Sequence, residues 1–246
     1  MQLIALKGIQ KIKKGDDLGE LIARAAQEQN LQFEENDVIV VAQTIVSKAE
    51  GNVIDLREVK PSELAGRIAS QLDKDSREVE VILRQSSEIV RLRHVLIART
   101  KHGFVCANAG VDHSNVDSEH VTILPDDPDA SAAKIREAIK RKLGVDVAVI
   151  LSDTQGRAFR LGCMGVAVGV AGMNPLRDLQ GRRDLYGKEL KATITSPADA
   201  LAAASVLVMG EASEGTPVVV VKGASYDRSQ GSARGLVRPP EQDLFR

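Results

Sequence analysis

Residues 147–157 read VAVILSDTQGR, and this stretch decides the fold. Its first five residues are all apolar and three of them are β-branched, which is typical of a strand buried on both faces. From Ser152 onward the side chains are hydroxyls, a carboxylate and an amide, followed by a glycine and an arginine. Ligands of sheet proteins commonly lie beyond the carboxyl ends of the strands. We therefore expect a buried strand that ends in a polar, ligand-binding loop.

Two interpretations of this loop fit its composition. Asp153 and Thr154 can hold a divalent cation through oxygen atoms, with Arg157 and Arg160 nearby to bind phosphate. Alternatively, Asp153 and Thr154 do no more than close a turn or cap a helix, as these residue types often do. A binding site therefore requires further polar groups from other segments of the chain.

A second strand pattern repeats this arrangement. Residues 38–42 are apolar and follow an Asn-Asp turn signal, and the chain then reaches Gln43, Thr44 and Lys48. We expect these three residues in a loop after the strand, where the lysine would suit a phosphate oxygen. A lysine that is simply exposed to solvent is the alternative.

Two more acids follow apolar segments. Asp112 comes after a pair of strands expected at residues 94–100 and 104–107, and Glu211 follows the end of an expected helix. If these acids converge with Asp153 in the folded chain, they would form an oxygen-ligand site for one or two divalent cations. This convergence is a hypothesis that the spacing along the chain does not prove.

Hydrophobic periodicity in the rest of the chain predicts further strands and helices. We treat residues 1–246 as one domain, with a division into two subdomains as the alternative. The tail, residues 224–246, is rich in Gly, Ser, Arg and Pro and is expected to be flexible. The other expected strands are residues 1–5 and 218–221, and the expected helices begin near Asp16 or Asp17, Pro61, Asp75 or Ser76, Asp129 or Ser131, and Ser196.

Composition excludes several classes of function. The net charge of the 246 residues is −1 and aromatic residues make up 2%, so no nucleic-acid-binding surface is expected. Cys106 and Cys163 are too few for a disulfide framework or a zinc cluster, and we expect both to be reduced and packed. No apolar run has membrane-spanning length and no signal peptide is evident, so a cytoplasmic protein without a membrane partner is expected.

Three other features have simple explanations. His113 and His120 lie among carboxylates and amides, which suit Mg or Mn, so we expect both histidines at the surface or behind the metal ligands. The glycine-rich apolar segment 161–172 lacks a dinucleotide-binding motif, and close packing of strands or subunits explains it better. The charged stretch 177–188 is expected to be a solvated loop, with an arm that crosses a subunit boundary as the alternative.

Six segments between Gly8 and Gly223 carry distinctive motifs: KGIQKIKKGDDL, VVAQTIVSKAEG, VCANAGVDHSN, ILSDTQGRAFRLGCMGVAVGVAG, GRRDLYGKEL and LVMGEASEGTPVVVVKG. In this order they resemble the coenzyme F420-0:L-glutamate ligase family. The most specific parts are SKAEG, NAGVDxSN, SDTxGR, GRxDLYGxEL and MGExxEGxP.

The resemblance implies a role for individual residues, and these include the three acids singled out above. The implied metal ligands are Asp112, Asp153, Thr154 and Glu211. For the reaction that the resemblance implies, our own hypothesis is that Asp153, Arg157 and Arg160 are the catalytic residues. The implied GTP contacts are Gly8, Ile9, Gln10, Lys11, Gln43, Thr44, Lys48, Asn115, Met209, Gly210, Glu211, Ala212, Ser213, Glu214, Gly215 and Thr216.

The resemblance also implies an activity and an assembly. Members of that family use GTP and Mg or Mn, with K as an activator, to join L-glutamate to F420-0 through an acyl phosphate. The fold that the resemblance implies is mixed α/β (α+β), with mixed sheets and flanking helices in an intertwined homodimer. Two alternatives stay open for this chain: a related nucleotide-dependent amide synthase acting on another carboxylate, and a non-catalytic nucleotide-binding regulatory protein.

Overall fold

The computed structural model describes residues 1–243 and confirms the mixed α/β class. Its strands are β1 (Gln2–Ala5), β2 (Val38–Ala42), β3 (Val53–Asp55), β4 (Ser86–Leu92), β5 (Leu96–Thr100), β6 (Val105–Ala107), β7 (His120–Thr122), β8 (Ala148–Arg157), β9 (Arg160–Ala171), β10 (Arg177–Asp178), β11 (Ile194–Thr195) and β12 (Val218–Lys222). Its α-helices are α1 (Leu18–Glu28), α2 (Gln43–Glu50), α3 (Glu63–Leu72), α4 (Ser76–Gln85), α5 (Pro128–Leu143) and α6 (Pro197–Met209).

The largest sheet has five strands in the order β1-β12-β2-β8-β9. β2 and β8 are parallel, and the other neighbouring pairs are antiparallel. Helices α1 and α5 cover one face of this sheet and α6 covers the other. The central strands are therefore buried on both faces, which confirms the interpretation of residues 38–42 and 148–151.

A second core is formed by the part of the chain between β2 and β8. It contains α3, α4, the β3–β7 pair and a three-stranded sheet in the order β4-β5-β6. The expected pairing of β5 with β6 is confirmed. The sequence did not predict β4, because that strand is mostly exposed and lacks the alternation of apolar residues that marks a half-buried strand.

The polar stretch after Leu151 continues as strand, which corrects the expectation of a loop. β8 runs to Arg157 and pairs with β9 along its whole length, so backbone hydrogen bonds keep this polar segment extended. We call residues 153–165 the ribbon. Phe159 and Leu161 at its end are 91% and 97% exposed.

The two cysteines differ in their exposure to solvent. Cys106 in β6 is buried, as expected, whereas Cys163 in the ribbon is exposed, so the expectation that it is packed was wrong for the single chain. Both are free thiols.

Residues 43–50 form α2, which also corrects an expected loop. The segment contains neither proline nor glycine until Gly51, whose left-handed conformation (φ 81°) ends the helix. Ala42 precedes the helix and provides no side-chain cap. The first backbone N–H groups of α2 therefore have no partner within the helix.

The helix starts agree with the sequence at most positions. Asp17, Ser62, Asp75 and Ser196 are N-caps close to the expected starts. α5 is the exception, because Asp127 caps it rather than Asp129 or Ser131. Pro128 occupies the first turn, where its missing N–H group costs nothing.

Asp129 instead holds the C-terminal tail in place through hydrogen bonds. Its carboxylate accepts hydrogen bonds from the Ser232 hydroxyl at 2.5 Å and from the Ala233 backbone N–H at 3.0 Å. Ala233 is buried against α6 and the large sheet. The expected flexibility of residues 244–246 lies outside the described residues. In residues 1–243, no helix is both long and apolar enough to span a bilayer.

The glycine-rich segment was expected to allow close packing of strands or subunits, and in the structure two glycines in β9 let helices approach the sheet closely. A Cβ atom at Gly165 would lie 2.5 Å from the backbone oxygen of Ala202 in α6. A Cβ atom at Gly169 would clash with the backbone of Pro128 in α5. In both cases the obstacle is helix backbone, which cannot move without shifting the whole element.

We predict that Gly165→Ala lowers the free energy of unfolding by about 1–3 kcal/mol, the usual cost of overpacking a filled core. Gly66→Ala is the matched control. Gly66 lies inside α3 with no atom near its missing Cβ, so alanine there should stabilise the protein by about 0.5–1 kcal/mol. Chemical denaturation measures both variants, and equal stability of Gly165→Ala and the parent would contradict the close-packing explanation.

Candidate functional site

One cavity of about 1280 Å³ lies where the two cores meet the carboxyl ends of β2 and β8. Most of the residues predicted for the site line it. These are Ile9, Gln10, Lys11, Gln43, Thr44, Lys48, Asp112, Asn115, Asp153, Thr154, Met209, Gly210, Glu211, Ala212, Glu214, Gly215 and Thr216. The lining does not include Gly8, Ser213, Arg157 or Arg160.

The pairing register of the parallel strands β2 and β8 explains how Gln43 and Asp153 come to lie next to each other. Ala42 in β2 is the partner of Ser152 in β8. The next residues, Gln43 and Asp153, therefore leave the buried part of the sheet side by side. The uncapped start of α2 opens on the same cavity, where its free N–H groups and helix dipole favour an anion.

The three acids of the prediction do line one cavity. Thr154 Oγ1 donates a hydrogen bond to Glu211 Oε1 at 2.9 Å, which joins the ribbon to the end of α6. Asp112 is held at the opposite wall by two backbone hydrogen bonds with Thr122 in β7. The carboxylates therefore come from three separate elements.

Asp153 has the most perturbed carboxyl group of the cavity. Burial raises its pKa to about 6, and the negative charge of Asp112 acts in the same direction. Hydrogen bonds from the Gln155 and Gln43 amides and from a backbone N–H oppose this rise in pKa. Two acids that repel each other in a buried site are the arrangement that a cation would relieve.

The donor set suits a cation that shares its ligands with phosphate. Within residues 1–243, no three side chains of His, Cys, Asp or Glu are already grouped to hold a metal ion. Mg²⁺ usually takes only one or two protein carboxylates and completes its shell with water and substrate phosphate oxygens. Asp153 with Asp112, and Glu211 with Thr154, fit that mode.

A positive side of the cavity complements the acids. Lys48 is half-buried, and its Nζ donates to the backbone oxygen of Asn115 at 2.5 Å. Burial and the neighbouring Lys11 lower the pKa of Lys48, while Asp112 raises it. Repulsion between the neighbouring cations Lys48 and Lys11 costs electrostatic free energy, and a bound polyanion would offset that cost.

Sequence reasoning missed three polar residues of the cavity. The Ser152 hydroxyl and the Asn108 amide oxygen are buried without a hydrogen-bond partner among the described residues. His120, which was expected at the surface or behind the metal ligands, lines the cavity, and its Nδ1 is 2.6 Å from Asp117 Oδ1. No local signal marks these residues, since β7 and the cavity wall depend on distant pairing. His113, by contrast, is exposed as expected and lies near Glu78.

Arg157 and Arg160 lie apart from the cavity of their own chain. Arg157 Nη2 donates to the backbone oxygen of Leu161 at 2.9 Å, within the turn of the ribbon. Arg160 begins β9 at the exposed end. The two arginines are therefore grouped with the exposed apolar residues of the ribbon.

The family model of F420-0:Gamma-glutamyl ligase matches residues 8–223, which is most of the chain. This chain belongs to that family.

Relatives of the ligase family are similar over their whole length. The coenzyme F420:L-glutamate ligase of Methanothermobacter thermautotrophicus is 51% identical, with 100% of this chain and 99% of that protein covered. The proteins of the same name from Methanopyrus kandleri and Methanocaldococcus jannaschii are 49% and 45% identical, covering 96% and 100% of this chain and 94% and 95% of those proteins.

The burial of the Asp153 carboxyl leads to a prediction for how the stability of the metal-free protein depends on pH. A folded-state pKa of about 6 lies above the ordinary value of 3.8 for an aspartate carboxyl, so the stability that Asp153 contributes is complete below about pH 4 and is lost as the pH rises through 6. The loss is on the order of 3 kcal/mol. In EDTA, Asp153→Asn should therefore melt at a higher temperature than the parent at pH 7.5 and at a similar temperature near pH 4.

Asp126→Asn is the matched control, because Asp126 is exposed and outside the cavity lining. Its melting temperature should follow that of the parent at both pH values. If Asp153→Asn also follows the parent, burial of this carboxylate does not destabilise the metal-free fold.

Proposed function

We propose that this protein is a GTP- and divalent-metal-dependent ligase that joins L-glutamate to the carboxylate of F420-0, in the cytoplasm, as a step of coenzyme F420 biosynthesis. The observation that carries the proposal is a single cavity lined by both lysines and acids, in a chain similar throughout to F420:L-glutamate ligases. A reaction between a polyphosphate and a carboxylate needs both kinds of group in one place.

The nucleotide phosphates are assigned to the positive side. Lys11, Lys48 and the uncapped start of α2 would neutralise and align the triphosphate. The loop from Met209 to Thr216 follows α6 and forms an adjoining wall, where it would contact the rest of GTP. Alignment of this kind can supply several kcal/mol, because positioning reactants removes entropy from the reaction step.

Mg²⁺ or Mn²⁺ would be held by Asp112, Asp153, Thr154 and Glu211 and would supply charge neutralisation at the phosphoryl group, with K⁺ as an activating ion. Asp153 contributes most when it is ionised, so a cation that offsets its burial also fits its role. Lys48 keeps its position through Asn115 and would hold a phosphate oxygen.

The reaction has two steps. A carboxylate oxygen of F420-0 attacks the γ-phosphorus of GTP, the bond to the bridging oxygen breaks, and GDP leaves. The amine of glutamate then attacks the carbonyl carbon of the acyl phosphate, and phosphate leaves as the amide forms. Arg157 and Arg160 would stabilise the negative charge of the acyl phosphate or its tetrahedral successor.

A homodimer is the second part of the proposal. Leu161 on the ribbon, with Leu185 and Tyr186 in the charged stretch, is exposed at 96% or more. A second copy of the chain would bury these large apolar side chains, and removing apolar surface from water favours association. Dimerisation would also give Arg157 and Arg160 a route to a cavity, since they do not line that of their own chain.

The activity is tested by mass measurement after incubation with GTP, Mn²⁺, L-glutamate and F420-0. We expect F420-0 to gain one glutamyl unit and GDP to appear. Replacing F420-0 by other carboxylic acids distinguishes a related amide synthase, and nucleotide binding without turnover would identify a regulatory protein. ATP in place of GTP tests the choice of nucleotide.

We predict that Asp153→Asn lowers turnover at least about 100-fold, since a catalytic cation supplies several kcal/mol of charge stabilisation. The variant should still fold, as its melting temperature will report. Asp126→Asn serves as the exposed control and should keep parental turnover. Turnover of Asp153→Asn within a few-fold of the parent would remove Asp153 from the metal site.

We predict that light scattering after gel filtration gives the mass of a dimer for the parent. The double variant Leu161→Asp, Leu185→Asp should shift it to a monomer, because two charges would have to be buried at the interface. Leu64→Asp, at an exposed position of α3, should leave the dimer intact. A monomeric parent would contradict the proposed assembly without affecting the assignment of the cavity.

A further inference from the structure

His120 is held between two carboxylates at the acidic end of the cavity. Its Nδ1 lies 2.6 Å from Asp117 Oδ1, and its Nε2 lies 3.9 Å from Asp55 Oδ2, which is too long for a direct hydrogen bond. The side chain is 27% exposed and faces the cavity. One ring nitrogen is therefore fixed by a carboxylate while the other is open to a ligand.

Each carboxylate around the His120 ring has a defined partner. Asp55 in β3 is engaged by Arg57, whose guanidinium holds the pKa of that carboxyl at about 2. The hydrogen bond with His120 lowers the pKa of Asp117. Glu119 is turned towards Arg77 of α4. The ring thus faces two carboxylates, one of which is paired with Arg57 and the other with His120 itself.

This arrangement is the one expected of a general base. When Nδ1 donates its proton to Asp117, Nε2 has a free lone pair, and the carboxylate both sets the tautomer and stabilises the charge that develops. The 3.9 Å gap between Nε2 and Asp55 Oδ2 leaves room for a donor such as an ammonium group to contact both atoms.

β7 links His120 to the proposed metal site. Thr122, two residues further along the strand, forms the bridge with Asp112. Two residues of a strand span roughly 6.6 Å. His120 therefore lies one such step along β7 from Thr122, whose bridging partner is Asp112.

Three other titratable groups of the cavity already have a partner or an assigned role. Asp112 and Asp153 are assigned to the cation, and Lys48 donates to Asn115. An amino acid arrives mainly as its ammonium form at neutral pH and must lose a proton before it attacks. The proposed reaction therefore needs a base that faces the acidic end.

We propose that His120 is the general base of the amide-forming step, with Asp117 as its positioning residue. This rests on the ligase function proposed above. Nε2 takes one proton from the ammonium group, and the amine attacks the carbonyl carbon of the acyl phosphate. The carbon–oxygen bond to phosphate breaks, and phosphate leaves with the electron pair and the second proton of the nitrogen, as hydrogen phosphate.

The decisive experiment compares two amines with His120→Gln. L-Glutamate must be deprotonated, whereas hydroxylamine is already neutral at pH 7 and traps an acyl phosphate as a hydroxamate. With GTP, Mn²⁺ and F420-0, we expect the variant to lose glutamate transfer by at least about 100-fold, the usual contribution of general base catalysis, and to keep hydroxamate formation within a few-fold of the parent.

His94→Gln is the matched control, because His94 is exposed and outside the cavity lining. It should keep both activities. If His120→Gln loses both products equally, or neither, the assignment as a base is overturned. A parent enzyme that forms neither product would overturn the ligase function itself, so the two failures are distinguishable.

Asp117→Asn provides a second readout that a structural role would not affect. The rate of glutamate transfer by the parent should fall at acid pH through one ionisation, and this acid limb should disappear in His120→Gln. In Asp117→Asn the limb should move to lower pH, because the imidazolium loses its nearest anion. An acid limb that is identical in all three proteins would rule out His120 as the titrating group.

Discussion

The parallel pairing of β2 with β8 is the constraint on which the rest of the structure depends. Because Ala42 faces Ser152 in that pair, the two chain segments leave the buried sheet at the same level. One continues as α2, whose uncapped start presents backbone N–H groups, and the other continues as the ribbon that carries Asp153. A shift of one residue would turn Asp153 to the other face of the strand and would separate these groups.

The cavity gains its chemistry from charges of both signs that different elements of the fold bring together. Lys11 and Lys48 lie on the side of α2, whereas Asp112, Asp117 and His120 come from the second core. The two cores thus bring opposite charges to a common space, and each set costs free energy when nothing is bound. A ligand set of triphosphate, cation and ammonium would pair with every one of these groups at once.

Sequence patterns identified those elements whose burial is a local property. The runs at 38–42 and 148–151 are apolar because both faces are covered, and caps such as Asp17 and Ser196 act within one helical turn. Three acids could be singled out as well, since each follows such an element. The extension of β8 could not be read in this way, because hydrogen bonds to β9, which carry no side-chain signature, keep its polar residues extended.

Sequence patterns did not identify residues whose position depends on the pairing of strands that lie far apart in the sequence. His120 points into the cavity because β7 pairs with β3, 65 residues earlier in the chain at Asp55, and because Asp112 bridges to the same strand.

The backbone that leads to Asp112 is itself unusual. Asn108, Ala109 and Gly110 all have positive φ angles, of 53°, 51° and 74°. A non-glycine residue pays roughly 1–2 kcal/mol for this conformation. Strain of that size persists where the surroundings fix the backbone, and here it turns the chain so that Asp112 enters the cavity from the second core. The same segment therefore links the packing of that core to the position of a proposed metal ligand, which no property of the residues taken singly reveals.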